Sequence, residues 1–320
     1  MTALLCVRLA RKTVEAQDIC GLELVPLEGA VLPAFSAGAH VELHLPGGLV
    51  RPYSLCNDPT ETHRYQLGVL RDPASRGGSA AVHEQLQEGQ TLSISAPKNC
   101  FALQPGVRRS LLLAGGIGIT PILAMAEQLA RDGADFELHY GARSQARMAF
   151  RERIAASGFA SRVHCHFDDG NEAQKLDLQA LLAAPPADLH LYVCGPKGYM
   201  DAVLNTARSL GWKEEQLHWE FFGAEVLMAD GDTAFEVQLA STGQVVVVPR
   251  EKTIVQALAA AGVAVQTACE QGVCGTCLTR VLEGVPDHRD VYLTPEEQAA
   301  NDQLLPCCSR AKSPRLVLEL

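Results

Sequence analysis

The 320-residue chain is too long for one ordinary domain, and its 47% apolar and 20% charged residues suit globular domains with full cores. A formal charge of −10 leaves no basic stripe to neutralise phosphates, which argues against nucleic-acid binding, and it would repel an anionic membrane surface. The longest apolar runs, such as Val245–Val248 and Ala257–Val265, are far too short to span a bilayer. The opening MTALLCVRLARK, interrupted by Arg8, does not read as a signal peptide, so a cytoplasmic protein is expected.

Residues 1 to about 105 alternate apolar and polar residues in short runs between turn signals, as in His40–Leu45 before Pro46-Gly47-Gly48, Tyr65–Leu70, and Thr91–Ser95 before Pro97. Such runs predict an antiparallel β-barrel or sandwich. From 106 to about 225 the period changes. Leu111–Ala114, Phe136–Tyr140, Val163–Phe167 and Leu189–Cys194 read as strands. Helices are expected from Pro121 to Arg131, near Met148–Ser157, and over Leu176–Ala183 and Tyr199–Leu210. This alternation predicts an open, parallel α/β sheet. The small, acidic stretch 223–232 reads as a linker to a third domain, 226–320. There strands Phe235–Ala240 and Gln244–Val248 and a helix over Thr253–Ala261 precede a cysteine-rich loop.

That loop is Cys269-Glu-Gln-Gly-Val-Cys274-Gly-Thr-Cys277, with Cys307 following after 29 residues. The spacing C-x4-C-x2-C…C is that of plant-type [2Fe–2S] proteins. Two bridged irons need two pairs of thiolates, and one compact loop can supply three. Gly272 and Gly275 permit the tight fold. A structural zinc site would instead pair two short cysteine knuckles. Cys307 and Cys308 are adjacent; on a strand only one of them could face the cluster, and the gap length favours Cys307.

With CEQGVCGTCLTRVLEG…DHRDVYLT…CCSRAKS in view, the whole chain resembles the phthalate dioxygenase reductase family, which includes vanillate O-demethylase reductase subunits. The resemblance implies an antiparallel β-barrel FMN domain (1–105), a parallel α/β NAD domain (106–225) and an α+β β-grasp ferredoxin domain (226–320), in that order.

Arg51-Pro52-Tyr53-Ser54 is similar to the R-x-Y-S flavin motif of the wider superfamily, in which Arg51 would grip a phosphate and Ser54 the reactive edge of the ring. About 25 residues later Arg76-Gly77-Gly78-Ser79 opens a predicted helix, whose exposed N–H groups suit an anion. The resemblance adds Gly68-Val69-Leu70 alongside the ring and Phe222 of His218-Trp-Glu-Phe-Phe-Gly223 against it. Phe221 or Phe222 is also expected to cap the core.

Gly115, Gly116, Gly118, Thr120 and Pro121, in the run AGGIGITP, follow a strand and open a helix, which suits a pyrophosphate. Pro121 fits the first helical turn. Cys194-Gly195-Pro196 ends a later strand, at the carboxyl edge where such sheets bind ligands. By resemblance Cys194 lies beside the nicotinamide, Gly195 leaves room for it, and Thr120 bridges flavin and nicotinamide. Arg143-Ser144 could serve an NADPH phosphate, but Asp168-Asp169 would repel one, and the family uses NADH.

The expectation is therefore an NADH-dependent, FMN- and [2Fe–2S]-containing reductase, with Ser54, Thr120 and Cys194 at the reacting centre. By resemblance it serves a Rieske-type terminal oxygenase, with phthalate the first substrate system and vanillate the second. A free-standing flavin or ferredoxin reductase and a cluster-bearing redox sensor are the alternatives. Three self-contained domains allow a monomer. The pair His164 and His166 on one strand is read as a solvated face.

Overall fold

A computed structural model describes residues 4–28, 30–73, 77–222, 231–270 and 272–320. They divide into two compact units, Met1–Phe222 and Gly223–Leu320.

The alternating pattern of the first hundred residues is realised in β1 (Leu5–Ala16), β2 (Ile19–Pro26), β3 (Ala39–His44), β4 (Val50–Ser54) and β5 (Tyr65–Leu70), then helix α1 (Gly78–Gln85), β6 (Thr91–Ile94) and β7 (Lys98–Asn99). They form an antiparallel sheet in the order β4-β3-β6-β1-β2-β5, with β7 on β3. A bridge between Leu55 and Leu67 joins the two ends of that path, so the sheet closes into a barrel. Inward-facing Val7, Leu9, Leu22, Leu24 and Val41 fill it.

The second half of this unit continues with β8 (Arg109–Gly115), α2 (Ile119–Arg131), β9 (Asp135–Ala142), α3 (Arg151–Ala155), β10 (Val163–Phe167), α4 (Leu178–Leu181), β11 (Leu189–Cys194), α5 (Lys197–Ser209) and β12 (Leu217–Glu220). The sheet is parallel, in the order β10-β9-β8-β11-β12. Both faces of β8 are covered, which explains its unbroken apolar run. Leu112 and Ala114 pack with α2, whereas Leu111 and Leu113 pack with Met200 and Val203 of α5. The α2 core also takes in Ile19, Ala37, Cys56 and Phe101 from the barrel side, and this shared apolar layer makes barrel and sheet one unit.

Two predicted helices are much shorter than expected. The Tyr140 hydroxyl accepts a hydrogen bond from the backbone N–H of Ala149 at 3.1 Å, which holds Met148–Phe150 in the core as non-helical chain, and α3 starts only at Arg151. Helix α4, capped by the Asp177 carboxylate on the N–H of Ala180, lasts four residues before the chain turns through Ala184 into Pro185 and Pro186.

The C-terminal unit contains β13 (Phe235–Leu239), β14 (Val245–Val248), α6 (Ile254–Ala260), β15 (Thr279–Glu283), β16 (Pro286–Asp287), α7 (Pro295–Ala300), β17 (Gln303–Leu304), β18 (Arg310–Ala311) and β19 (Arg315–Leu318). A mixed sheet runs β14-β13-β19-β15-β17, with β13 and β19 parallel, and α6 packs on it through Ile254, Ala257 and Leu258. This is the expected β-grasp arrangement. Capping boxes Thr253/Gln256 and Thr294/Glu297 start both helices. Of the expected linker, 223–230 lie outside the described residues.

Arg289 ties the start of this unit to the segment after the cysteine loop. Its guanidinium bonds Asp232 through two nitrogens and Asp287 at 2.7 Å, and the Asp232 side chain is only 6% exposed. Truncating Arg289 would leave the buried Asp232 carboxylate only the longer pairing with Arg310 at 3.7 Å, and weakening a buried ion pair is costly. Arg289→Ala should therefore cost this unit about 3 kcal/mol, read as faster amide hydrogen exchange along β13, while exchange along β8 stays unchanged.

Candidate functional site

The structure brings together residues that are far apart in sequence. Arg51 on β4 lies against the first residue of α1: a Cβ built on Gly78 would stand 2.6 Å from Arg51 Cγ and 2.9 Å from its Nε. A guanidinium thus sits at a helix N-terminus opened by Gly77, in the left-handed region at φ 90°, and Gly78. This pairing suits a phosphate, as the sequence motif predicts. The Ser79 hydroxyl is engaged by the N–H of Asp72 at 3.1 Å. Arg76 lies outside the described residues. Tyr53 is half-buried, and loss of solvent pushes its hydroxyl above the usual range. Past the Leu55–Leu67 bridge, Gly68-Val69-Leu70 pair with β2 on one edge, and among the described residues no strand pairs with the other.

Gly68 is also where the barrel meets the nucleotide loop. A Cβ there would stand 2.8 Å from Thr120 Cγ2 and 2.9 Å from Phe150 Cζ. Thr120 is 2% exposed and its hydroxyl donates to the Ile117 carbonyl at 3.1 Å. The run AGGIGITP forms the end of β8, a short 3₁₀ turn and the start of α2, with Pro121 in the first turn. Gly118 presses on β11: a Cβ there would lie 2.2 Å from the Cys194 carbonyl oxygen. Gly116, at φ 53°, faces open space, so its backbone is accessible. Pro196 caps α5, and the ring of Tyr199 on α5 covers Gly115 and Gly195. The Tyr199 hydroxyl is buried without a hydrogen-bond partner. A buried donor of this kind beside two glycines and an open backbone turn fits a polar ligand such as a nucleotide.

Cys194 is fully buried, and burial, with the Glu220 carboxyl nearby, pushes its thiol well above the usual value. Glu220, paired with Cys194 across β11–β12, was missed by sequence reasoning. Ser54 Oγ, from the barrel, donates to Glu220 Oε2 at 3.5 Å, and loss of solvent pushes this carboxyl up to about 8. An acid closing the last strand of a parallel sheet, just before two aromatics, was the available signal. Phe221 packs into the core beside α5, whereas Phe222 is 38% exposed.

In the C-terminal unit Cys269, Cys277, Cys307 and Cys308 are buried and Cys274 is half-buried. Cys269 and Cys274 share a side-chain hydrogen bond, Cys277 and Cys307 share another, and Cys307 also reaches Cys269 and its neighbour Cys308. Four sulfurs thus gather as two linked pairs, the arrangement that two bridged irons need. Those mutual hydrogen bonds and burial push the Cys274 and Cys307 thiols up, so metal ions are needed to hold all four as thiolates. Gly275 requires its lack of a side chain: it sits at φ 71°, and a Cβ would stand 2.3 Å from the Tyr292 ring.

One part of the sequence argument is corrected. Cys307 and Cys308 lie on a turn, not a strand, because Cys308 N–H donates back to the Leu305 carbonyl at 3.2 Å. Cys308 Sγ lies close to Gly272, where a Cβ would stand 2.5 Å from it, and contacts the Leu305 carbonyl at 3.6 Å. The choice of Cys307 rests on its bonds to Cys277 and Cys269, not on strand alternation. The pair His164 and His166 is not simply a solvated face either. His166 bonds His139, which is only 8% exposed, and burial pushes His139 down to about 4.

Residues 237–312 match the family model for a 2Fe-2S iron-sulfur cluster binding domain, and residues 112–205 match that for an oxidoreductase NAD-binding domain. The chain is 58% identical over 307 residues to a vanillate O-demethylase oxidoreductase of Pseudomonas putida, covering 96% of each chain. It is 39% identical to a phthalate 4,5-dioxygenase oxygenase reductase subunit of the same species, over 97% of this chain and 94% of that one. A solved phthalate dioxygenase reductase, described as a modular structure for electron transfer from pyridine nucleotides to [2Fe–2S], superposes with a TM-score of 0.79 at 38% identity. That match covers 99% of this chain and 98% of the other. Barrel, parallel sheet and β-grasp unit therefore form the scaffold of a pyridine-nucleotide-dependent flavin and [2Fe–2S] oxidoreductase, and the chain belongs to the phthalate dioxygenase reductase family of oxygenase reductase components.

Proposed function

We propose that this protein carries electrons from NADH, through FMN and a [2Fe–2S] cluster, to a Rieske-type oxygenase that O-demethylates a methoxylated aromatic acid such as vanillate. The observation that carries the reading is the gathering of Cys269, Cys274, Cys277 and Cys307 into two sulfur pairs. Vanillate is preferred over phthalate because the demethylase reductase is 58% identical and the phthalate reductase 39%. NADH is favoured over NADPH by Asp168 and Asp169. Their backbone N–H groups donate to Ala142 and Arg143, so two exposed acids stand beside the Arg143-Ser144 pair that would bind an extra phosphate. The family resemblance favours FMN. We assign the flavin domain to 1–105, the nucleotide domain to 106–225 and the ferredoxin domain to 226–320, in a cytoplasmic monomer with no nucleic-acid or membrane partner.

Arg51, Gly77 and Gly78 would hold the flavin phosphate, with Arg76 and Ser79 completing that motif. Tyr53, Ser54, Gly68, Val69, Leu70 and Phe222 would line the ring. Gly115, Gly116, Gly118, Thr120 and Pro121 would receive the nucleotide, with Cys194, Gly195 and Pro196 at its nicotinamide end. When bound, the flavin converts a two-electron hydride delivery into the single-electron transfers that an iron–sulfur cluster accepts.

The chain's own groups set the conditions. Glu220 keeps its proton at neutral pH, and Cys194 keeps its own, so no fixed negative charge opposes the arrival of electrons. Ser54 Oγ, bonded to Glu220 Oε2, links the barrel to that proton reservoir. Tyr199 and Gly118 fix the β11 end against the loop, which excludes water from the Cys194 side.

Three outcomes are expected. With a purified vanillate-type oxygenase, the protein should support NADH-dependent release of the demethylated acid; failure there, with turnover alongside a phthalate-type oxygenase, reverses the substrate assignment. Cys307→Ser should abolish the iron–sulfur absorbance while leaving NADH-driven flavin bleaching intact, whereas Cys308→Ser should retain both. The raised Glu220 carboxyl gives a stability signature. Below about pH 4.3, the ordinary carboxylate value, folded and unfolded chains are both protonated. Above it only the folded chain keeps the proton, so stability falls as pH rises until the folded carboxyl ionises near 8. Urea midpoints for Glu220→Gln should fall less between pH 5 and 8 than those of the wild type, and its flavin reduction by NADH should slow by about tenfold.

A further inference from the structure

Four titratable side chains on one face of β9 and β10 have no part in the electron-transfer reading. Glu137 and His139 alternate along β9, and His164 and His166 along β10, at the free edge of the parallel sheet. The register sets His164 directly beside His139. Alternating with the β9 pair, Leu138 and Tyr140 point to the opposite face and into the core. His139 is 8% exposed and stacks on both other imidazoles, with ring centres 4.7 Å from His164 and 5.2 Å from His166.

The hydrogen bonds fix the tautomers. His166 Nδ1 lies 3.2 Å from the Gln174 carbonyl, which can only accept, so Nδ1 carries the hydrogen and Nε2 a lone pair. That lone pair lies 3.0 Å from His139 Nδ1, which must therefore donate. The single hydrogen of neutral His139 is then spent, and its Nε2 is a lone pair as well. This Nε2 is buried and has no hydrogen-bond partner. The Glu137 carboxylate, 3.7 Å away, is another acceptor. Two acceptors face each other with no hydrogen between them, an arrangement that costs free energy unless a cation fills it.

We propose that Glu137, His139 and His164 form a binding site for a borderline transition-metal dication, Zn²⁺ in particular. One donor atom from each residue lies within 4.8 Å of the other two. A tetrahedral zinc with bonds of about 2.1 Å needs donors about 3.4 Å apart. Glu137 and His164 are exposed, so their side chains can close the remaining distance while His139 stays as the buried anchor. Two imidazoles and one carboxylate suit zinc better than calcium or magnesium, which prefer oxygen alone. The fourth position opens to solvent and would take water. His166 acts as the outer partner that fixes the His139 ring and tautomer, the role such hydrogen bonds play at metal–histidine sites. The ion would clasp edge strand β10 to β9, and binding only to the folded state would add stability. None of these ligands is shared with the four sulfurs.

The test uses the iron-loaded holoprotein, dialysed against zinc chloride and assayed for both metals. Zinc should rise by about one equivalent per chain with iron unchanged. Glu137→Gln and His164→Ala, both surface changes, should each weaken zinc binding at least about tenfold, and His166→Phe roughly tenfold through the lost outer bond, while flavin reduction by NADH stays at the wild-type rate. No zinc uptake, equal uptake by wild type and both ligand variants, or uptake matched by loss of iron would overturn the proposal.

Discussion

The close approach of Gly118 to the Cys194 carbonyl governs the nucleotide-binding half of the molecule. Only a residue without Cβ lets the start of α2 settle on the end of β11, since any Cβ would clash with the Cys194 carbonyl oxygen at 2.2 Å. That seating carries Thr120 to the barrel, where Gly68 leaves space for its methyl group. It also lets Tyr199 lie across Gly115 and Gly195. With these contacts made, β12 emerges with Glu220 within reach of Ser54, a residue 166 positions earlier. Barrel strand, glycine loop and sheet edge therefore converge because four glycines remove side chains at three crossings.

How much of this was legible follows from what each signal depends on. The cysteine loop, RPYS and AGGIGITP are local: their chemistry is written within a few residues, and the fold only has to present them. The domain textures were legible for a similar reason, since period-two alternation and buried β-runs reflect one or two covered faces. Glu220, Tyr199 and His139 depend instead on which strands become neighbours, which no spacing along the chain records. Glu220 gains its meaning from Cys194 on β11 and Ser54 on β4. The shortened α3 has the same origin, because the Tyr140 hydroxyl claims the backbone of Ala149 and tertiary contact overrides helical pattern. The gap length favoured Cys307, but the added premise that strand alternation separates the two cysteines does not hold. The two cysteines occupy a turn, and contact with Cys277 and Cys269 distinguishes them.

Charge is handled in opposite ways in the two units. Around the barrel–sheet junction five acidic groups are pushed toward their protonated forms by loss of solvent: Tyr53, Cys56, Cys194, Tyr199 and Glu220 all shift upward, while the ionised Asp58 is matched by Arg131 of α2. A region that must accept negative charge is thus built from neutral groups, so that incoming electrons meet dipoles and not fixed anions. In the C-terminal unit the cysteine sulfurs are crowded within hydrogen-bond reach of one another, an arrangement that water and protons satisfy poorly and that two irons satisfy well.

The imidazole cluster on β9 and β10 obeys the second logic and not the first. Burial alone would be tolerated if each ring kept one hydrogen and one acceptor partner, as a pair of neutral histidines can. Here the Gln174 carbonyl sets the direction of the chain of bonds and uses up the hydrogen of each ring in turn, leaving the innermost nitrogen aimed toward a carboxylate. Replacing that carbonyl by a donor would reverse every tautomer and satisfy His139 Nε2 with its own hydrogen. The direction of a single backbone group, fixed by the short turn after β10, therefore decides whether this sheet edge is a hydrogen-bonded histidine stack or a cation site.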